Sequence, residues 1–182
     1  MKDRFYLLAI PSENISDLLY PLRHKIRLLI GREYTSMNAP PHLSLCTFSL
    51  PGEKFGELKE LLDTTLKSML FPAFRTLGLE TFFGNQTAYL SIYNIDEFNS
   101  LQGGVITALK NSFPSLKRNM SIPSTPHISI GRGFSAQEMN MIMDMENESG
   151  GQEEFTIREI RLMVLTDGKT QPVYQYSLQQ KG

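Results

Sequence analysis

Two of the chain's three histidines stand in the same frame, Pro-His-apolar-Ser-apolar: PHLSL at 41–45 and PHISI at 126–130. Side chains of an extended strand alternate faces, so His42 and Ser44 share one face and Leu43 and Leu45 the other. His127 and Ser129 pair in the same way, with Ile128 and Ile130 opposite. Such a strand can bury its apolar residues while it presents an imidazole and a hydroxyl to a cleft. The proline ahead of each histidine fixes its own φ and favours an extended residue before it.

Imidazoles titrate near 6.5, so at one pH one of a pair can act as a base while the other, protonated, acts as an acid. Two serine hydroxyls can donate hydrogen bonds to non-bridging oxygens as charge shifts in a transition state. A phosphodiester has the matching parts: an attacking oxygen, a leaving oxygen and two anionic oxygens between them. Other chemistries fit less well. A metal site needs about three or four ligands, and apart from Cys46 neither frame places Asp, Glu or Cys beside its histidine. Neither serine sits in a Gly-x-Ser-x-Gly elbow. Cys46 shares strand parity with His42 and Ser44, which makes it a nucleophile on paper, but a buried packing residue is the expected role.

Periodicity marks the elements that must carry these frames. Residues 5–10 (FYLLAI) read as a buried strand and 11–14 as a turn. A helix runs from Ile15 to Ile30, where Pro21 either kinks it or opens a shorter one, and Gly31 stops it. A loop covers 31–41 and a strand 42–50. A second helix spans 55–69. Strands at 73–83 and 87–93 flank a hairpin at 84–86. A third helix, 98–113, is weakened by Gly103-Gly104. A loop covers 114–126 and HISIG is a short strand. Ser135 and Glu138 have capping-box spacing ahead of a Met-rich fourth helix that ends at 147–151. The strand at 154–166 changes apolar phase from Phe155 and Ile157 to Ile160, Leu162 and Val164, which calls for a bulge near Arg158-Glu159. A strand at 173–178 closes the chain.

Each frame thus follows a strand, a helix and an irregular loop. Tyr6 precedes His42 by 36 residues and Tyr89 precedes His127 by 38. That order suggests an internal duplication, with two copies facing each other about a pseudo-twofold axis.

The spaced pair PHLSL and PHISI resembles the His-x-Ser/Thr motifs of the two-histidine (2H) phosphoesterases, which include 2′-5′ RNA ligases and RNA 2′,3′-cyclic phosphodiesterases. Length, element order and motif spacing agree over nearly the whole chain. The resemblance implies a single α+β domain over 1–182, bilobal, with two antiparallel sheets, helices outside and a central cleft. It implies cofactor-free, metal-independent chemistry at a 2′,3′-cyclic phosphate, a 2′-5′ linkage or a similar phosphodiester. By matched position His42 and His127 are the acid-base pair, and Ser44 and Ser129 bind the phosphate. Relatives often carry an aromatic or basic residue shortly after the second motif. Arg132 holds that place as a candidate phosphate ligand, but strict alternation sets it opposite Ser129, so that role needs a twist at Gly131, and a surface salt bridge is the expected one.

Phe48 shares the parity of His42 and either lines the cleft or, as expected, fills the core. Tyr6 and Tyr89 are candidates to stack a base, although strand tyrosines usually pack. His24 is expected on a solvated helix face, and Lys117-Arg118 in an exposed loop where they could steer an anion. The other class of function is a non-catalytic nucleotide- or RNA-end-binding protein. A pure binder needs no matched acid and base, which favours the enzyme.

Bulk properties bound the partners. The 182 residues carry a net charge of −1, which excludes a global basic field for holding a long duplex. A nucleotide or short RNA is the expected partner, bound by a monomer without an obligate protein partner. One cysteine precludes an intrachain disulfide and fits a reducing compartment. The apolar run Phe5–Ile10 is too short for a signal-peptide core, and no run reaches the length of a membrane span. A cytoplasmic protein is expected.

Overall fold

A computed structural model describes residues 2–145 and 152–178. Among them the chain runs β1 (Lys2–Pro11), α1 (Asn14–Ile30), β2 (Leu43–Pro51), α2 (Phe55–Lys67), β3 (Ala73–Phe82), β4 (Thr87–Ile92) and α3 (Ile95–Ser112). Then follow β5 (Met120–Ser121), β6 (His127–Arg132), α4 (Ala136–Asp144), β7 (Glu154–Thr166) and β8 (Lys169–Ser177). No helix of the described residues is long and apolar enough to cross a membrane.

The fold is α+β, with two groups of antiparallel strands. In one, β1 lies between β2 and β7, and β8 pairs with the far side of β7. In the other, β4 lies between β6 and β3. The groups are joined at two places. The first residues of β7 pair with β3 before the strand passes on to β1 and β8. The second junction is the pair Leu43↔Ile128 between β2 and β6. Alternation buries one face of the strands: Leu7, Ala9, Leu43, Leu45, Ile128 and Ile130 pack in one core with Ile15, Leu19 and Ile26 of α1 and Leu101, Val105 and Leu109 of α3.

Helix α1 is continuous through Pro21, so the shorter-helix alternative fails. Proline forfeits one hydrogen bond there, while Ile15, Leu19, Leu22 and Ile26 are all buried along the same helix. Likewise α3 runs through Gly103-Gly104. A Cβ at Gly104 would lie 2.9 Å from the Met69 methyl, so the missing side chain admits that contact. The phase change in β7 is a bulge at Arg158, since Ile10 pairs with Glu159 and Pro11 with Ile157. Ser135 and Glu138 form the capping box of α4, and the expected helix end at 147–151 lies outside the described residues.

Two elements are longer or more ordered than periodicity suggests. The last strand starts at Lys169 rather than 173, because Asp167 and Gly168, with φ of 51° and 74°, make a two-residue turn back from Thr166. Pro172 sits in this strand beside a register shift, where a missing N–H is tolerated. The loop 114–126 contains a 3-10 turn, Pro114–Lys117, and the short strand β5 pairs with β2.

Candidate active site

Both motif strands carry a bulge at the same motif position. On β2, Ser44 pairs with Leu8 and Cys46 with Leu7, so Leu45 is the extra residue. On β6, Ser129 pairs with Tyr89 and Gly131 with Ala88, so Ile130 is the extra residue. A bulge shifts alternation by one residue. Its first effect concerns Cys46, which loses the parity of His42 and Ser44 and enters the core at 1% exposure. Burial pushes its thiol up to about 12, which removes it as a nucleophile. Its second effect concerns Arg132. Opposite Thr87, on the same face of β4 as Tyr89 and Ser91, it shares a face with Ser129 and His127. The bulge at Ile130 supplies the phase change expected of a twist at Gly131. The first motif has Thr47 at the matching place, a residue the sequence did not single out.

The pair Leu43↔Ile128 joins the residue after one histidine to the residue after the other. In an antiparallel register this sets His42 across from Ser129 and Ser44 across from His127, all on the face opposite the buried Leu43 and Ile128. The four residues therefore form a square from two distant stretches of chain. His42 Nδ1–H donates to the Pro40 carbonyl at 2.9 Å, and His127 Nδ1–H to the Thr125 carbonyl at 2.8 Å. A carbonyl oxygen can only accept, so in each ring the Nδ1 carries the proton and a neutral ring keeps its lone pair on Nε2. Among the described residues no protein group bonds either Nε2 or the hydroxyl of Ser44 or Ser129.

Burial holds both imidazoles below their ordinary value. The backbone carbonyl bonded to each opposes this, and the Arg132 charge adds to it. Arg23 and His127 depress His42 further. The edges of Phe82 and Tyr89 flank the His127 ring, at 5.1 and 5.2 Å between centroids.

Two buried polar side chains brace the square, and each crosses to the other half. Arg23 of α1, 2% exposed, donates from Nε to the Ile130 carbonyl at 2.9 Å and from Nη2 to the Ser129 carbonyl at 2.9 Å. Its Nη1 donates to the Ala39 carbonyl in the loop ahead of the first motif. Gln102 of α3, 6% exposed, donates from Nε2 to the Leu45 carbonyl at 2.9 Å and to the Pro123 carbonyl at 3.3 Å, ahead of the second motif. A bulge takes its carbonyls out of the regular ladder, and buried carbonyls need donors. Each helix thus satisfies the bulge in the opposite half and ties down the loop before its own motif. The sequence reading passed over both residues. The signal was there for Arg23, which lies four residues after Leu19 and three before Ile26 on the apolar face of α1.

Tyr34 donates its hydroxyl to the Arg23 carbonyl at 3.0 Å and lies against Gly131. A Cβ at Gly131 would meet the Tyr34 ring at 2.3 Å and Phe134 at 2.8 Å. Both rings are buried, so neither can swing away. The variant Gly131→Ala is expected to lose about 2 kcal/mol or more of stability, seen as a fall of roughly 5 °C or more in Tm.

The remaining candidates separate. Phe48 fills the core against Phe5, with centroids 5.6 Å apart. Tyr89 is 3% exposed and bonded to Glu80 at 2.7 Å, which leaves it no face for a base. Tyr6 is half-buried and its ring carries the Arg4 guanidinium at 5.5 Å. His24, Lys117 and Arg118 are exposed. The two tyrosines are not equivalent in register, because Leu8, not Tyr6, stands opposite Ser44 as Tyr89 stands opposite Ser129. Among the described residues no group of three or more His, Cys, Asp or Glu is placed to hold a metal ion.

The profile of the 2′-5′ RNA ligase superfamily matches residues 20–169. Solved structures share the fold at low identity. Escherichia coli LigT, crystallised with 3′-AMP, is 17% identical with a TM-score of 0.69, over 99% of this chain and 100% of that one. TT0787 of Thermus thermophilus is 16% identical with a TM-score of 0.70, over 98% and 100%. Kluyveromyces marxianus Usb1 is 15% identical with a TM-score of 0.56, over 93% and 98%. No curated protein sequence matches the chain. A profile match over most of the chain, on a fold that brings its two His-x-Ser frames together, establishes that the chain belongs to the 2′-5′ RNA ligase superfamily within the two-histidine phosphoesterases.

Proposed function

We propose that the protein is a metal-independent phosphodiesterase acting on a 2′,3′-cyclic phosphate, a 2′-5′ linkage or a similar RNA-end phosphodiester. Family membership supports phosphodiesterase-type chemistry in general. The observation that carries the finer reading is the Leu43↔Ile128 register, which sets a histidine across from a serine twice over. On a cyclic phosphate, Nε2 of one imidazole takes a proton from water as its oxygen attacks phosphorus. Nε2–H of the other gives a proton to the departing ribose oxygen. Ser44 and Ser129 donate to the two non-bridging oxygens, with Arg132 beside them to offset their charge. An arriving phosphate anion raises the pKa of the imidazole that must hold the proton.

The direct test is incubation with nucleoside 2′,3′-cyclic monophosphates and a 2′-5′-linked oligoadenylate in excess EDTA. Turnover is expected; binding without turnover of either substrate would favour a non-catalytic RNA-end-binding protein instead. The pH dependence is a further expected result. Values of kcat/KM report the free enzyme, where both imidazoles sit below 6.5. The form with one ring protonated and one neutral is then most populated on the acid side of 6.5, and kcat/KM falls by about tenfold per unit at higher pH. Arg132→Gln removes a charge that depresses both rings, so the alkaline limb is expected to move to higher pH. A limb that stays in place would belong to some other group.

A further inference from the structure

We propose that the groove between Arg4 and Arg118 is a second anion subsite for the phosphate next to the reacting one, so that the preferred substrate is an oligoribonucleotide end rather than a mononucleotide; this rests on the phosphodiesterase reading above. The groove has a volume of about 320 Å³ and is lined by the polar Arg4, Thr47, Ser49, Arg118, Asn119 and Ser121 together with the apolar Phe48 and Met120. It lies on the strand face that carries Ser44. On β1 the alternating Arg4, Tyr6 and Leu8 face away from the buried Phe5, Leu7 and Ala9. Their cross-strand partners are Ser49, Thr47 and Ser44, and directly paired residues point to one face. Ser121 of β5 joins that face opposite Thr47.

The chemistry of the lining selects an anion. Two guanidinium groups and three hydroxyls converge there, and no carboxylate lines the groove. Among the described residues neither Arg4 nor Arg118 forms a salt bridge. Guanidinium is well suited to phosphate, which it can bind in bidentate fashion. The volume lies at the lower end of ligand cavities, about 300–1,000 Å³, so it accepts a sugar-phosphate unit and not merely a small ion. The location selects the substrate. Two residues of β1 separate the partners of Ser44 and Thr47, and four those of Ser44 and Ser49. At a rise of about 3.3 Å per residue the groove extends from roughly 7 to 13 Å beyond the catalytic serine. A nucleoside cyclic phosphate would occupy the His-Ser square alone, whereas a strand leaving it along β2 would bring its next phosphate between the two arginines.

The test compares wild type with the double variants Arg4→Ala/Arg118→Ala and Arg4→Glu/Arg118→Glu. One substrate is a nucleoside 2′,3′-cyclic monophosphate and the other a tetraribonucleotide ending in a 2′,3′-cyclic phosphate. Anisotropy of a fluorescent tetraribonucleotide with a 3′-phosphate measures binding independently of turnover. The alanine pair is expected to lose roughly tenfold or more in tetranucleotide kcat/KM and affinity, and the glutamate pair more, with the mononucleotide changed less than about twofold. The slope of log affinity against log salt should flatten by about 0.7, the contribution of one phosphate on a single strand. Equal losses on both substrates, or no loss on the tetranucleotide, would overturn the subsite. If wild type turns over neither substrate, the phosphodiesterase reading fails. The binding arm still decides the subsite, upheld by arginine-dependent affinity for the tetranucleotide and overturned without it.

Discussion

Replacing His42 or His127 by alanine is expected to lower kcat/KM on a 2′,3′-cyclic phosphate by at least about a hundredfold, with the fold intact. General acid or base assistance from a positioned imidazole contributes about two to four decades, and each ring has one nitrogen free to provide it. Its Nδ1 is committed to the carbonyl two residues back, and its Nε2 has no protein partner among the described residues. Both rings are half-buried and make one backbone hydrogen bond each, so truncation removes little packing and Tm should move by a few degrees at most. Because the proposed acid and base act on one phosphorus in one transition state, the double variant should be little worse than the poorer single one. Circular dichroism and a thermal melt separate loss of chemistry from loss of fold. Full activity in both single variants would end the acid-base assignment.

Arg23→Met is expected to lower stability by about 3 kcal/mol and activity with it. The substitution keeps a long apolar stem but removes donors from the Ser129, Ile130 and Ala39 carbonyls. Hydrogen bonds to a charged donor contribute about 1.5–3 kcal/mol each, and a buried acceptor left bare costs about 1–3, without simple additivity. At 2–4 °C per kcal/mol for a chain of this size, Tm should fall by roughly 6–12 °C. Arg23→Lys should rescue only part of this, since a single ammonium cannot reproduce a planar fork spread over three carbonyls. Activity suffers because the bulge at Ile130 puts Arg132 on the face of Ser129; a relaxed bulge would turn Arg132 away. Loss of the Arg23 charge also lets His42 rise towards its ordinary value. A shifted pH profile at a temperature well below Tm distinguishes this positioning role from simple destabilisation.

The catalytic candidates were legible early because chemistry and periodicity coincide in PHLSL and PHISI. Residues i and i+2 of a strand share a face whatever the fold around them, so each His-Ser pairing is local information. The helical stripes, the Ser135–Glu138 cap and the bulge at Arg158 are local too: each shows as a spacing or as a break in apolar phase. At the motif bulges such a break is hidden. Leu43, Leu45 and Cys46 are all apolar, as are Ile128, Ile130 and Gly131, so an extra residue leaves no mark in the pattern. That is why strict alternation puts Cys46 on the cleft face and Arg132 opposite Ser129, whereas the structure holds Cys46 in the core, in its expected packing role, and turns Arg132 to the face of Ser129.

The amino-acid sequence by itself determined the two His-x-Ser frames proposed to carry the chemistry and which strand face each residue occupies up to the serine of its motif. It did so because alternation along a strand needs no information from the rest of the chain. Tertiary structure alone decided that the two motif strands meet at Leu43 and Ile128, that Arg23 and Gln102 cross over to cap the bulge carbonyls, and that Arg4 and Arg118 come together 114 residues apart. These are contacts between distant segments. Buried carbonyls must find donors and apolar faces must find cover, and the packed molecule sets which segment supplies them.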